Sequence, residues 1–149
     1  LLIFSSPLLA QDNHSSMPDN TNAFYGNLGF LAGPVVSLNY EHIIRPFKKN
    51  ENKLLYYRGG FGYMNQFFGE YIFLAGQIGM ITAANQNNHL DLAAGLFINN
   101  SIGDPFPDNS LIPLSLSIAY RYQKPESKSY FKIGGGIFEG LQISGGFRF

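Results

Sequence analysis

The feature that most constrains the fold is an alternation of apolar and polar residues with a period of two, which runs from residue 23 to residue 149. Side chains at every second position share one face of a β-strand, whereas a helix repeats every 3.6 residues. Each alternating segment is closed by glycine, proline, asparagine or charge, which are turn signals. The pattern predicts eight strands, over residues 23–31, 35–44, 54–64, 71–83, 89–98, 111–123, 130–138 and 141–149.

The charged residues of these predicted strands lie on the face opposite the apolar side chains. A Lys or Arg that faced the middle of a bilayer would cost about 2–4 kcal/mol. Because no charged residue of these strands shares the apolar face, that face is predicted to contact lipid. The polar face then fills a narrow barrel interior, where charges are tolerated only when they are paired. We predict a lumen charge network of Glu41, Arg58, Asp91, Arg121, Lys132 and Arg148.

Composition supports a surface that does not face water. Charged residues make up 13% of the chain and aromatic residues 15%, a balance unlike the Lys- and Glu-rich surfaces of soluble domains. Eight strands is the smallest usual membrane barrel. The predicted fold is therefore an eight-stranded antiparallel up-and-down transmembrane β-barrel that forms one domain over residues 23–149.

Charge and cysteine content exclude other classes of function. A net charge of zero offers no basic face for a nucleic acid. The absence of Cys excludes disulfides, thiolate metal sites and thiol nucleophiles. Three scattered histidines do not have the spacing of metal ligands, so we predict no metal and no cofactor.

The first 22 residues suggest export. Residues 1–10 are apolar and end in a small residue, as in the second half of a signal peptide, and Ser5, Ser6 and Pro7 argue against an apolar first strand. Residues 11–22 are polar and lack any period, which indicates a flexible leader. The predicted location is the bacterial outer membrane.

The charges outside the strands favour one orientation. If both termini are periplasmic, the periplasmic turns 45–53 and 123–129 carry most of the basic residues. The extracellular turns are then acidic, with Glu70, Asp104, Asp108 and Glu139. Outward aromatic residues at the periplasmic ends predict an interfacial girdle of Phe24, Tyr40, Tyr57, Tyr122, Phe131 and Phe149.

Several blocks of sequence resemble a family of small outer-membrane β-barrel proteins common in Bacteroidetes. The blocks are SLNYEHII (37–44), YYRGGFGY (56–63), NHLDLAAGLF (88–97), AYRYQ (119–123) and GLQISGGFRF (140–149). The resemblance covers about residues 23–149 and implies the fold and the location, but supplies no catalytic residues. Phe149, with Phe147, resembles the C-terminal signal that the barrel assembly machinery recognises. The implied partners are that machinery, outer-membrane lipid and lipopolysaccharide.

Three alternatives stay open. Ser37, Glu41 and His42 suggest a lipid-modifying enzyme, with His89 as a further candidate, but alternation places Glu41 and His42 on opposite faces. A soluble lipocalin-like barrel that binds an apolar ligand would need the two faces exchanged. A gated conduit would need continuous space that eight strands rarely leave.

The loop 99–110 is the best candidate for surface contacts.

Overall fold

The computed structural model describes residues 21–44, 53–67, 69–82, 87–102, 114–124, 127–137 and 140–149. The predicted signal segment, nearly all of the predicted leader, and Asp104, Asp108 and Glu139 lie outside these ranges. Within them, no helix is long and apolar enough to cross a membrane.

Eight strands form one closed barrel, in which each strand pairs antiparallel with the next and β8 returns to β1. This confirms the predicted eight-stranded antiparallel up-and-down β-barrel. The strands are β1 (Asn22–Phe30), β2 (Pro34–Ile44), β3 (Lys53–Gln66), β4 (Gly69–Thr82), β5 (Asn88–Ser101), β6 (Leu114–Tyr122), β7 (Ser129–Gly136) and β8 (Gly140–Arg148).

The β3–β5 side of the barrel extends further than the alternation predicted. β3 continues to Gln66, and β4 begins at Gly69 rather than at residue 71. The prediction of a loop over residues 99–110 was wrong for its first three residues, which belong to β5. Asn99 and Ser101 pair with Phe73 and Tyr71 of β4. Asparagine is uncommon in strands, but here the ladder of β4 supplies the backbone hydrogen bonds.

A three-residue turn joins β1 to β2. Phe30 pairs with Pro34, which as the first residue of its strand can lack an N–H. Ala32 has φ of 53° and Gly33 has φ of 157°. A Cβ on Gly33 would collide with the carbonyl oxygen of Asn65, so this turn requires glycine there.

The two ends of the barrel differ. The proximal end, where β1 begins and β8 ends, carries the exposed cations Lys53, Lys124 and Lys128. The distal end, where β3 meets β4, carries the exposed Glu70. Outward aromatic residues lie near the proximal end, and Phe30 and Phe67 are also exposed at the distal end.

Burial alternates along every strand, so the barrel has an apolar outside and a mixed inside. In β6, Leu114, Leu116 and Ile118 are each 39–55% exposed, whereas Ser115 and Arg121 are buried. This arrangement is opposite to that of a soluble barrel, in which apolar side chains fill the interior.

The interior is less uniformly polar than the sequence suggested. A distal apolar cluster is formed by Val35, Met64, Phe73 and Phe97. A proximal apolar cluster is formed by Ile43, Leu54, Tyr56, Ile81 and Ala93. Both lie on the β2–β5 side, and the charges occupy the space beside and between them.

Two inward glycines make room for tyrosine rings. A Cβ on Gly79 would collide with the Tyr56 ring, and a Cβ on Gly146 would lie 3.0 Å from Cζ of Tyr130. Each ring therefore lies directly against the backbone of its ladder partner on the neighbouring strand. This contact sets the position of the Tyr56 hydroxyl within the interior.

Replacing Gly79 with alanine is expected to destabilise the barrel by about 1–3 kcal/mol, because the added methyl group overpacks the Tyr56 ring. Gly76 on the same strand is the matched control, since a Cβ there meets no atom within 4 Å. Gly76→Ala should be neutral or stabilising by about 0.5–1 kcal/mol. Urea unfolding of both variants in detergent checks this, and equal effects would contradict the packing described.

Candidate functional site: the charged lumen

Four charged side chains meet across the interior. Glu41 and Asp91 come from β2 and β5, while Arg121 and Lys132 are direct ladder partners on β6 and β7. Arg121 Nη1 donates to Glu41 Oε1 at 2.7 Å, and Lys132 Nζ donates to Glu41 Oε2 at 3.2 Å. Lys132 Nζ also lies 3.1 Å from Asp91 Oδ2. We call these four residues the charge cluster.

Aromatic rings surround the charge cluster. The Tyr56 hydroxyl donates to Asp91 Oδ1. Arg121 Cζ lies 4.0 Å from the centre of the Tyr130 ring, and Lys132 Nζ lies 4.1 Å from that of Tyr25. Cations over aromatic faces gain electrostatic stabilisation, most of all where water is excluded. The rings thus help to compensate the two cations for lost hydration.

Arg58 forms a separate polar contact set across the centre of the barrel. Its guanidinium donates to the Gln77 side-chain oxygen, to the Tyr25 hydroxyl at 3.0 Å and to Ser117 Oγ at 2.8 Å. Gln77 in turn donates to Ser115 Oγ. Arg58 therefore links β3 to β1, β4 and β6 through side chains that cross the lumen.

The structure places all six predicted lumen residues in the interior, each at most 7% exposed, but it brings only four of them together. Arg58 instead donates to Gln77, Tyr25 and Ser117 at the centre of the barrel. Arg148 lies within 4.0 Å of no carboxylate among the described residues. The predicted single network is thus divided into the charge cluster, a central arginine and a separate cation, Arg148, at the proximal mouth.

The residues that sequence analysis missed are the neutral members of the site. Tyr25, Tyr56 and Tyr130 line the cations, and Gln77 holds Arg58. Alternation carried a signal for them, because Tyr56 lies two residues from Arg58 and Tyr130 lies two residues from Lys132. The prediction used only the charged members of that face.

The predicted girdle and assembly residues point outward at the proximal end. The Phe24 ring stacks on the Phe149 ring at 5.5 Å and lies 5.2 Å from the Tyr40 ring. The rings of Phe147 and Phe149 are 6.2 Å apart. Tyr57, Tyr122 and Phe131 are each 39–45% exposed on the same outer surface.

The candidate hydrolase residues do not form one site. Ser37 is buried and its Oγ accepts a hydrogen bond from Asn39. His42 lies on the outer face, with Nδ1 2.7 Å from Asn22 Oδ1 and its ring against Tyr57. Both carboxylate oxygens of Glu41 accept hydrogen bonds from cations, so this group is not a free base. His89 is buried on β5, at the ladder position of Arg121.

Tyr56→Phe is expected to lower the free energy of unfolding by about 1–3 kcal/mol, because it removes the hydroxyl donor from the buried Asp91 carboxylate. The neighbouring Tyr57 faces outward and provides the control. Tyr57→Phe should change stability by less than about 0.5 kcal/mol. Urea titrations of the two variants test this, and a negligible effect of Tyr56→Phe would contradict the contact with Asp91.

The described residues contain no group of three His, Asp or Glu side chains that could hold a metal ion. The carboxylates of the site are engaged by cations, and its guanidinium groups offer hydrogen-bond donors. This pairing limits the chemistry that the site can perform.

Comparison with known proteins adds no further assignment, since no family model, no curated protein and no solved structure matches this chain.

Proposed function

We propose that this chain is an exported, non-enzymatic outer-membrane barrel protein with a structural or surface-interaction role. The observation that carries the proposal is that apolar side chains cover the outside of the barrel and charged side chains lie inside, the reverse of a soluble barrel. Large apolar residues project outward from all eight strands, while the described part of the interior holds six charged side chains. A continuous apolar outer surface of this extent needs a lipid environment or a partner.

The pairing of the interior supports a closed barrel rather than a conduit. Arg58 reaches Tyr25 and Ser117 across the lumen, and the charge cluster joins β2 and β5 to β6 and β7. An eight-stranded barrel is typically wide enough for its own side chains or one small ligand, and rarely leaves a continuous channel. We therefore assign the lumen to stability and place any interaction role on the outer surface and the ends.

The ends favour an orientation in which the proximal end is periplasmic. The described cations at this end and Glu70 at the distal end follow the predicted distribution of charge. Aromatic side chains at the proximal rim suit a membrane interface. The resemblance to small outer-membrane barrels of Bacteroidetes supports the same location, and outward Phe147 and Phe149 suit recognition by the barrel assembly machinery.

The two alternatives have less support. A lipid-modifying enzyme would need Ser37 and His42 on one face, and they lie on opposite faces. A soluble lipocalin-like barrel would need Leu116 and Ile118 inside, and both are exposed.

Site-directed labelling tests the proposal directly, because the chain has no native Cys. Single Cys variants carrying a spin label would be refolded into vesicles, at outward Leu116 and Ile143 and at the proximal Lys128. We expect the labels at 116 and 143 to be accessible to oxygen dissolved in lipid and protected from a water-soluble nickel chelate. The label at 128 should show the reverse.

Equal exposure of all three labels to the water-soluble chelate would overturn the membrane proposal. An inward Ser144→Cys variant serves as control, because its label should be shielded from both reagents if the barrel closes around it.

A further inference from the structure

In the part of the chain that the structure describes, three buried hydrogen-bond donors at the proximal mouth have no hydrogen-bond partner. They are Arg121 Nη2, Gln123 Nε2 and Arg148 Nε. Their residues are at most 3% exposed. Buried donors without a partner cost about 1–3 kcal/mol each, and more when they are charged, so three in one region call for an acceptor.

The three donors lie around one aromatic ring. Arg121 stacks over Tyr130, and its Nε donates to the Gln123 side-chain oxygen at 3.3 Å, which places the Gln123 amide beside the guanidinium. The Tyr130 ring crosses β8 at Gly146, two residues before Arg148 on the same face. The Tyr130 hydroxyl, itself without a partner, lies in the same region and can also donate.

The charge in this region is unbalanced. Among the described residues of this region, Arg121, Lys132 and Arg148 are buried together with Glu41 and Asp91, which leaves three minus two, or one, positive charge in excess. Glu41 is already shared by Arg121 and Lys132. The Arg148 guanidinium lies in the field of Arg121 as well as that of Glu41, and among the described residues no carboxylate oxygen lies within 4.0 Å of it.

We propose that Arg121, Gln123 and Arg148 form a binding site for an oxyanion at the proximal mouth of the barrel. An oxyanion would accept hydrogen bonds from the free donors and neutralise part of the excess positive charge. Guanidinium groups suit carboxylate and phosphate because their N–H groups match the spacing of two oxygens. Access is from the end of the barrel, since Gln123 directly follows β6 and Arg148 is the last residue of β8.

The test is urea unfolding of the full chain in a non-ionic detergent, with inorganic phosphate titrated at constant ionic strength. A saturable rise in the unfolding midpoint is expected. Arg148→Met should weaken phosphate binding about tenfold or more, because it removes a charge-assisted hydrogen bond. Without phosphate the same variant should be at least as stable as the unmodified chain, since it removes an unpaired buried charge.

Two further variants complete the design. Lys128→Met removes an exposed cation at the same end and should leave the phosphate response unchanged. Gln123→Met is nearly isosteric and should weaken the response, which keeps the test decisive if Arg148→Met does not fold.

The proposal is overturned if phosphate causes no saturable rise in the unfolding midpoint of the unmodified chain. It is also overturned if Arg148→Met and Gln123→Met respond like the unmodified chain, because phosphate would then be an adventitious ion only.

Discussion

Replacing Glu41 with glutamine is expected to lower the free energy of unfolding by about 3–5 kcal/mol, which is the usual cost of leaving a buried charge without its partner. Glu41 is fully buried and accepts from both Arg121 and Lys132. After the change, Asp91 would be the one described carboxylate near two cations that already share an interior with excess positive charge. Urea unfolding in detergent or lipid measures the loss.

Glu70→Gln is the matched control, because Glu70 is exposed at the distal end. It should change stability by less than about 0.5 kcal/mol. A second comparison separates lost pairing from lost packing: Glu41→Gln combined with Lys132→Met removes one charge of each sign and should recover part of the loss. If Glu41→Gln costs less than about 1 kcal/mol, the charge cluster does not hold the barrel together.

An arginine at position 118 is expected to destabilise the vesicle-inserted barrel by about 2–4 kcal/mol. Ile118 is the middle residue of β6 and is 55% exposed on the outer face. If that face meets lipid, the guanidinium must either lie in hydrocarbon or distort the bilayer to reach water. Unfolding of Ile118→Arg in lipid vesicles provides the measurement.

Tyr122→Arg is the control on the same strand and the same face. Tyr122 is the last residue of β6, where the proposal places the interface, so the expected cost falls to about 0–1 kcal/mol. Equal and small costs at 118 and 122 would show that the outer face is in water, and would contradict the lipid-facing interpretation.

The alternation of apolar and polar residues was enough to predict the number of strands and the face on which each charged strand residue lies. Glu41 and Arg121 could be assigned to the interior because, by alternation, they lie on the face opposite the apolar residues of their strands, such as Leu38 and Ile118. Their contact could not be predicted, because it joins β2 to β6 across the barrel. Such contacts depend on the stagger of the strands, and a period of two determines the face but not the height along the axis.

The remaining differences between the sequence-based predictions and the structure also have physical causes. Asn99 and Asn100 favour turns in isolation, but the ladder with β4 outweighs that preference, so the predicted loop began too early. Val35, Met64 and Phe73 occupy inward positions although they are apolar, because a closed interior has to be filled by volume as well as by polarity. The missing partner of Arg148 is a property of the assembled barrel that no local pattern encodes.

The most direct test of the central claim is flotation of the chain with lipid vesicles, followed by gel electrophoresis in SDS with and without boiling. The account predicts that the folded chain floats with the vesicles after an alkaline wash and migrates differently before and after boiling, as a closed barrel that resists SDS should. A chain that folds without detergent or lipid and stays in the aqueous fraction would contradict it.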